Sequence, residues 1–377
     1  MKPLSTLQIG LIASPNRTSG SDRYYASLLE ALAELGVAVH GVVLGDPSAV
    51  GFDPRNVESF APEGSRAYRR WSGLRRTVAP RIEESDLVVS HFAPHAFPAL
   101  DLIRTRPLVV HFHGPWALEG RFAGLPLHTL LLRALQERMV YGYAQRLIVL
   151  SQAFRDLLER EYRLRPERVR VIPGGVDLRR FKPAASKEEA RRELGWPLDR
   201  PIVATVRRLE KTKGVDNLID AIGEVRRTIP DVLLVVAGSG SLAREFERRV
   251  EEGGLERWVR FAGYVPDDRL ARLYRAADWF VVPSVAYEGF GLVVIEALAC
   301  GTPVLVTPVG GMPEIVDQLS PGLVMRGHRA ADLALGLGDA LGGRLAPPPE
   351  DRCVAFASRF SWPTIAARVY DVYREAA

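Results

Sequence analysis

One pattern limits what this chain of 377 residues can fold into: short apolar runs alternate with segments whose apolar residues recur at helical spacing, and the alternation passes along the chain twice. In the first half the runs are LQIGLIA, VAVHGVVLG, DLVVSHF, PLVVHFHG, RLIVLS and RVRVIPGG. In the second they are PIVATVRRL, DVLLVVAG, VRFAGYV, WFVVPS and PVLVTP. Runs this short and this apolar suit parallel strands buried on both faces. SDRYYASLLEALAELG places Tyr25, Leu28, Leu29, Leu32 and Leu35 on one helical face and stops at Gly36. VDNLIDAIGEVRRT, SLAREFERRVEEGG, DDRLARLYRAA and GLVVIEALAC read as the helices between the later strands, and FSWPTIAARVYDVYREAA as a closing amphipathic helix. The fold class is therefore α/β, with two doubly wound, Rossmann-like parallel sheets. The chain is also too long for one comfortable core, so two domains are expected. The join is placed around residues 182–200, where FKPAASKEEARRELGWPLDR is polar and carries prolines. Ligands of open parallel sheets sit beyond the carboxyl ends of the strands, so two facing sheets imply a cleft lined by the residues just after each strand.

Composition removes several classes. Hydrophobic residues at 47% and charged residues at 25% describe an ordinary globular chain, not a disordered or fibrous one. Two cysteines, Cys300 and Cys353, make no disulfide framework and read as small core residues in a reducing compartment. The N-terminal apolar run is interrupted by Gln8 and Gly10 and leads into PNRTSGS, which favours a first strand over a signal peptide. The most apolar stretch, Leu292 to Val309, contains Glu296, Gly301, Thr302 and two prolines and does not suit a bilayer span. A cytoplasmic protein is expected. Net charge is +5, and one segment concentrates the excess: Arg66, Arg69, Arg70, Arg75, Arg76 and Arg81 lie between Gly64 and Ile82 with no acid, interleaved with Tyr68, Trp71 and Leu74. Two readings stay open. One is a patch for anionic lipid or an anionic acceptor; the other is a solvated helix face with an aromatic packed inward. Nucleic acid is disfavoured because no recognition motif accompanies the charge.

The densest chemistry follows WFVVPS, in VAYEGFGLVVIEALACGTPVLVTPVGGMPEIV. Glu288 precedes the turn Gly289–Phe290–Gly291, and Glu296 sits on the helix that the turn opens. Glycines let backbone approach a ligand, and the unpaired N–H groups of a helix start suit a phosphate. Glu296, one turn further in, suits ribose hydroxyls, and Glu288 suits sugar hydroxyls. The neighbours of Glu296 are apolar nearly all round, so its carboxylate needs a partner.

EGFGLVVIE, with seven residues between its glutamates, and the flanking FAGYVPDDRLARLYRAADWFVVPS and EALACGTPVLVTPVGGMPEIV resemble the retaining glycosyltransferases of family 4. The resemblance implies the GT-B fold, with residues 1–182 and a C-terminal helix of about 362–377 binding the acceptor and residues 183–361 binding a nucleotide sugar. It implies that Glu296 holds the ribose, that Glu288 contacts donor-sugar hydroxyls, and that the backbone of Phe290, Gly291 and Leu292 holds the diphosphate. Arg208 and Lys213 occupy the family's two cation positions, while Arg207 stands where a glycine is usual. Fixed cations stabilise the charge on a leaving diphosphate without a proton transfer. The backbone of Gly263, Tyr264 and Val265 then reads the base, and Gly20 with Ser21 approaches donor phosphate and acceptor, unless Ser21 or Asp22 merely caps a helix. His113, before Gly114, reaches the donor sugar beside the reaction centre; strand alternation turns His111 to the same side and Phe112 to the other, and His91 is a weaker candidate. VIPGGVDLRRF resembles the family's lead into the second domain, with Asp177 as a cap.

The implied activity is transfer of a hexose from a nucleoside-diphosphate sugar to a hydroxyl acceptor with retention, by a front-face route assisted by the leaving phosphate. No carboxylate pair for double displacement stands out. No metal and no cofactor beyond the donor are expected. The arginine segment favours a lipid-linked or polysaccharide acceptor. Rival readings are a nucleotide-sugar epimerase of the same plan and a non-catalytic sugar- or nucleotide-binding subunit. A dehydrogenase is disfavoured, since AGSGSLAREF has glycines at the wrong spacing for a dinucleotide loop.

Overall fold

The computed structural model describes residues 3–13, 20–48, 52–53, 55–183 and 185–377. The chain divides into two compact units, Met1–Gly175 with Trp362–Ala377, and Val176–Ser361.

The first unit is built on seven strands: β1 (Ser5–Ala13), β2 (Ala38–Gly45), β3 (Val57–Ala61), β4 (Leu87–Ser90), β5 (Leu108–Phe112), β6 (Arg146–Val149) and β7 (Val169–Val171). Their order is β3-β2-β1-β4-β5-β6-β7, and every neighbouring pair is parallel. All residues of β4 and β5 are buried, as strands covered by helices on both faces must be. The sheet has one strand more than the apolar runs announce. In VESFA, at the edge, Glu58 interrupts the pattern, and its carboxylate is occupied by Arg81 and by His40 at 3.0 Å. The expected first helix runs Gly20–Glu34 and buries Tyr25, Leu28, Leu29 and Leu32; Leu35 falls past its end and is exposed. That helix packs with the closing helix Trp362–Ala376.

The second unit holds β8 (Ile202–Val206), β9 (Leu233–Ala237), β10 (Val259–Gly263), β11 (Trp279–Val282) and β12 (Val304–Val306), all parallel, in the order β10-β9-β8-β11-β12. Val215, Leu218, Ile219, Ile222 and Val225 bury one face of the helix Val215–Val225 at helical spacing.

The division falls upstream of the polar stretch. Val176 donates its N–H to the carbonyl of Phe360 at 2.8 Å, and Phe181 is buried against Tyr274. The polar stretch itself is no linker. Lys187–Leu194 is a helix with a capping box between Ser186 and Glu189. Buried Arg191 fastens it to the sheet through Asp278 at 2.7 Å and the carbonyl of Ala276 at 2.9 Å. Its polarity is that of a surface helix.

In each sheet the winding direction reverses once, between β1 and β4 and between β8 and β11. These reversals are where open α/β sheets bind ligands.

Candidate functional site

At the β8–β11 reversal, the segment after β8 carries Arg207, Arg208 and Lys213, and the segment after β11 carries Ser284 and Glu288. Three donors converge on one oxygen, Oε2 of Glu288: the Arg207 guanidinium, Lys213 Nζ at 3.1 Å and the Ser284 hydroxyl at 3.0 Å. Arg207 also donates to Ser284 Oγ at 2.5 Å. Arg207 is buried with its guanidinium on Glu288 and Ser284, so the arginine at the glycine position enters the cluster as a further cation. Burial pushes the Glu288 carboxyl up, but Arg207 and Lys213 together outweigh it and hold it well below the usual carboxylate range. Burial foremost, helped by Arg207 and Arg208, pushes Lys213 below its ordinary value against the pull of Glu288. Arg208 is exposed. Two cations, Arg207 and Lys213, thus share the one Glu288 carboxylate, and Arg208 adds a further positive charge near Lys213.

Two glycines make this approach possible. A Cβ on Gly214 (φ 66°) would strike the carbonyl of Pro283, and one on Gly310 (φ 61°) would strike that of Glu288. Gly311 donates its N–H to the same Glu288 carbonyl at 3.0 Å. Tyr287, next to Glu288, holds φ 49°, a left-handed conformation that is costly for a tyrosine.

Glu296 is buried in the first turns of the helix Leu292–Ala299 and accepts a hydrogen bond from the Tyr274 hydroxyl at 2.6 Å, the kind of partner its apolar surroundings demand. Tyr274 is fully buried, and Thr302 donates to its carbonyl at 2.7 Å. Phe290 packs its ring on Phe360 at 5.7 Å, Gly291 lies at φ 76°, and Leu292 opens the helix. Gly263 ends β10, with its carbonyl accepting from Gly238 at 2.7 Å; beyond it Tyr264 is exposed and Val265 half-buried. Asp177 caps its turn through the N–H of Arg179 at 2.9 Å.

In the first unit, residues 14–19 lie outside the described residues, and Gly20 and Ser21 begin the helix Gly20–Glu34. Beside it, histidines gather at the β1–β4–β5 end. His111 and His113 do face one way, while Phe112 packs with Tyr141, Phe154 and Tyr162 on the other. His91, the weaker candidate, stands between the two, with ring centroids 4.4 Å from His111 and 5.6 Å from His113. Burial lowers all three; His91 and His111 fall well below the usual histidine value and His113 to about 4, so the stack is neutral at pH 7.

The hydrogen bonds then assign the tautomers. Gln8 donates Nε2–H to Thr6 Oγ1 at 3.1 Å, which leaves its Oε1 to accept from His91 Nε2–H at 3.0 Å. Neutral His91 therefore offers a lone pair at Nδ1, which accepts from His113 Nε2–H at 3.3 Å. His113 is left with Nδ1 as a hydrogen-bond acceptor. His111 bonds Tyr24 at 3.2 Å and, at 2.8 Å, Tyr373 of the closing helix.

Two doubly wound parallel sheets with polar side chains gathered at their reversals define an α/β protein of the nucleotide-binding kind of architecture. The sequence profile described as Glycosyltransferase Family 4 matches residues 18–180, and that described as Glycosyl transferases group 1 matches residues 186–355. The chain belongs to glycosyltransferase family 4, and its fold is that of the GT-B glycosyltransferases. The D-inositol 3-phosphate glycosyltransferase of Corynebacterium kroppenstedtii is 36% identical over 260 residues, covering 65% of this chain and 56% of that protein. That of Nocardia farcinica is 38% identical over 253 residues, covering 65% of this chain and 55% of its own length. The chain thus spans little more than half the length of these relatives. Sucrose-phosphate synthase of Thermosynechococcus elongatus shares the fold at a TM-score of 0.83 and 26% identity, over 99% of this chain and 98% of that one. Anabaena HepE, in complex with UDP and glucose, shares it at 0.80 and 22%, over 99% and 100%.

Proposed function

We propose that this protein transfers a sugar from a nucleoside-diphosphate donor to a hydroxyl acceptor with retention at the anomeric carbon. The observation that carries the reading is the pair of cations Arg207 and Lys213 on Glu288 at the β8–β11 reversal, with Arg208 exposed near Lys213. A leaving diphosphate gains negative charge as the glycosidic bond breaks, and cations already fixed in place stabilise it with little reorganisation. Glu288 orders Arg207 and Lys213 through Oε2, which leaves Oε1 for a donor-sugar hydroxyl. The N–H groups opening the helix Leu292–Ala299 receive phosphate oxygens, and Glu296, steadied by Tyr274, accepts from the ribose. His113 accepts a sugar hydroxyl at Nδ1. The leaving phosphate takes the acceptor proton on the face it departs from, which gives retention without a carboxylate nucleophile. Cations of the chain fill the role a metal would have, so the reaction needs none. For the acceptor we propose a lipid-linked or polysaccharide hydroxyl, which the basic segment Arg66–Arg81 supports.

The test is thermal stabilisation by UDP, GDP, ADP and NAD, on the intact protein and on Glu296→Ala. UDP is tried first because the Anabaena protein of the same fold is crystallised with UDP-glucose. A nucleotide at a hundred times its dissociation constant stabilises the folded state by about 2.7 kcal/mol. Stabilisation by one nucleoside diphosphate, lost in Glu296→Ala, is expected; a response to NAD alone overturns the reading. Turnover of donor without any acceptor favours an epimerase instead. Activity that survives a chelator is expected, and its loss removes the metal-free part.

A further inference from the structure

The helix Leu127–Tyr143 of the first unit is turned inside out. Its polar residues Gln136 and Glu137 point inward, while Leu127, Leu131, Leu132, Leu135 and Met139 point outward, with exposures from 71% at Leu127 to 40% at Met139. The orientation is anchored. Buried Glu137 accepts from the Trp116 N–H at 2.7 Å and from the Tyr162 hydroxyl at 2.8 Å, so this helix has no freedom to roll its leucines under. Leu127, Leu131, Leu135 and Met139 recur every four residues and form one ridge, with Leu132 beside it. Of the twelve exposed large hydrophobic residues among those described, eight fall between Tyr68 and Met139. Such concentration marks a contact surface, not scattered surface residues.

A second helix supplies the complement. Ala67–Glu84 packs against the short turn Phe97–Ala99, and so does Leu127–Tyr143, which places the two on the same side of the sheet. The aromatics of Ala67–Glu84 are not tucked in: Tyr68 and Trp71 are exposed, Trp71 with its edge near Phe97. Two of the six arginines are taken up, Arg75 by Asp101 and Arg81 by Glu58. Arg66, Arg69, Arg70 and Arg76 are exposed and meet no carboxylate among the described residues, and the acids of this helix, Glu83 and Glu84, stand at its far end.

We propose that these two helices form a docking face for an anionic lipid bilayer, with the leucine ridge entering the acyl boundary and the arginines and Trp71 lying at the headgroups. The inference rests on the membrane part of the proposed acceptor and not on the donor chemistry. An apolar ridge flanked by cations and an interfacial tryptophan is the combination that anionic membranes retain. Charge argues against a second copy of the chain as the occupant, because two such faces would oppose arginine to arginine.

Co-sedimentation of the full chain with vesicles decides the matter. Vesicles of phosphatidylcholine alone are compared with vesicles containing roughly one-third phosphatidylglycerol, at low and high salt. The intact protein is expected on the anionic vesicles only, with binding weakened by salt. Leu131→Glu with Leu135→Glu is expected to lower the partition coefficient about tenfold or more, and Arg69→Glu with Arg70→Glu to lower it and flatten the salt dependence. Both variants change exposed positions, and an unchanged melt and an unchanged nucleotide response show that they fold. Failure of the intact protein to bind anionic vesicles overturns the proposal, whether it is a monomer or a dimer that the leucine variant dissociates. Equal binding by the leucine variant overturns the ridge. Neither result touches the donor site, whose own test is the nucleotide response.

Discussion

The two sheet reversals of this protein hold polar clusters of opposite character. At β8–β11 the groups are ions: buried Arg207 and half-buried Lys213 held on one carboxylate oxygen, with a third cation, Arg208, exposed near Lys213. At β1–β4–β5 they are neutral: three stacked histidines whose protons are ordered by Gln8, Tyr24 and Tyr373. Both lie at the same place in the same kind of sheet, so topology fixes where side chains gather but not their charge. The difference suits a division of labour. On the proposed function, fixed ions would answer a ligand whose charge grows during the reaction, and a chain of neutral hydrogen bonds would answer one whose hydroxyls need only orientation.

The sharpest way to break the comparison is to remove a cation. Lys213→Ala leaves Glu288 held by Arg207, so the fold should persist while kcat falls by roughly two to three orders of magnitude. Steady-state kinetics with the donor concentration varied would measure it. A loss confined to KM would mean that the lysine binds donor and transition state alike.

The second prediction uses pH. A histidine whose value in the folded state is depressed binds fewer protons there than in the unfolded chain. The stability it carries is therefore complete above about pH 6.5 and is lost as pH falls toward the folded value. For His113, lowered to about 4, the window runs from about 6.5 to about 4 and the loss amounts to about 3 kcal/mol. Glu288 is also depressed, but its window opens only as pH falls through the ordinary carboxylate range, so the ionic cluster outlasts the histidine stack on acidification. Calorimetry between pH 7 and 5 should show the melt of the first unit falling first, and His113→Gln should flatten that slope. A uniform fall of both units would erase the distinction.

The third prediction concerns the partner of Glu296. Tyr274→Phe removes a buried hydrogen bond to a charged acceptor, worth about 1.5–3 kcal/mol, while keeping the ring that packs on Phe280. Nucleotide affinity measured by calorimetry should drop about tenfold, with the binding stoichiometry unchanged. Unaltered affinity would detach Glu296 from the donor.

How much of this was legible follows from what sequence displays. Strands announce themselves by apolar runs, and all five of the second sheet do so; VESFA, polar at Glu58 and at a sheet edge, does not. Glu288 and Glu296 stand out because carboxylates among glycines and apolar residues need a reason. Their partners stand out less. Tyr274 occupies a helical apolar face in DDRLARLYRAA like any core residue, and only the demand of Glu296 for a donor pointed toward it. Arg207 was visible as a departure from the family's glycine, but whether it would crowd the strand or join the cations depended on a rotamer, and Ser284 gave no signal at all. His91 looked weaker than His113 because stacking between strands is a tertiary fact. The compact units divide at Gly175/Val176, upstream of the polar stretch read as the join, because that polarity belongs to a capped surface helix, which composition does not distinguish from a linker.

The smallest expected effect tests how the ionic cluster is kept in register. Tyr287 sits in the left-handed region immediately before Glu288, a conformation costing a non-glycine residue about 1–2 kcal/mol. Glycine adopts it freely, so Tyr287→Gly relieves that cost in the folded state, while the added freedom of the unfolded chain takes back about 1 kcal/mol. Stability should therefore change by less than about 1 kcal/mol in either direction, read as a nearly constant melting temperature. Turnover should respond more. Glu288 carries Arg207 and Lys213 on a single oxygen, and a looser backbone at its neighbour blurs the position of all three charges together. A drop in kcat without a matching drop in stability would mean that the strained tyrosine serves the geometry of the cations. A large fall in melting temperature with kcat preserved would mean instead that Tyr287 serves packing, and that the cluster holds itself in place through Gly310, Gly311 and Ser284 alone.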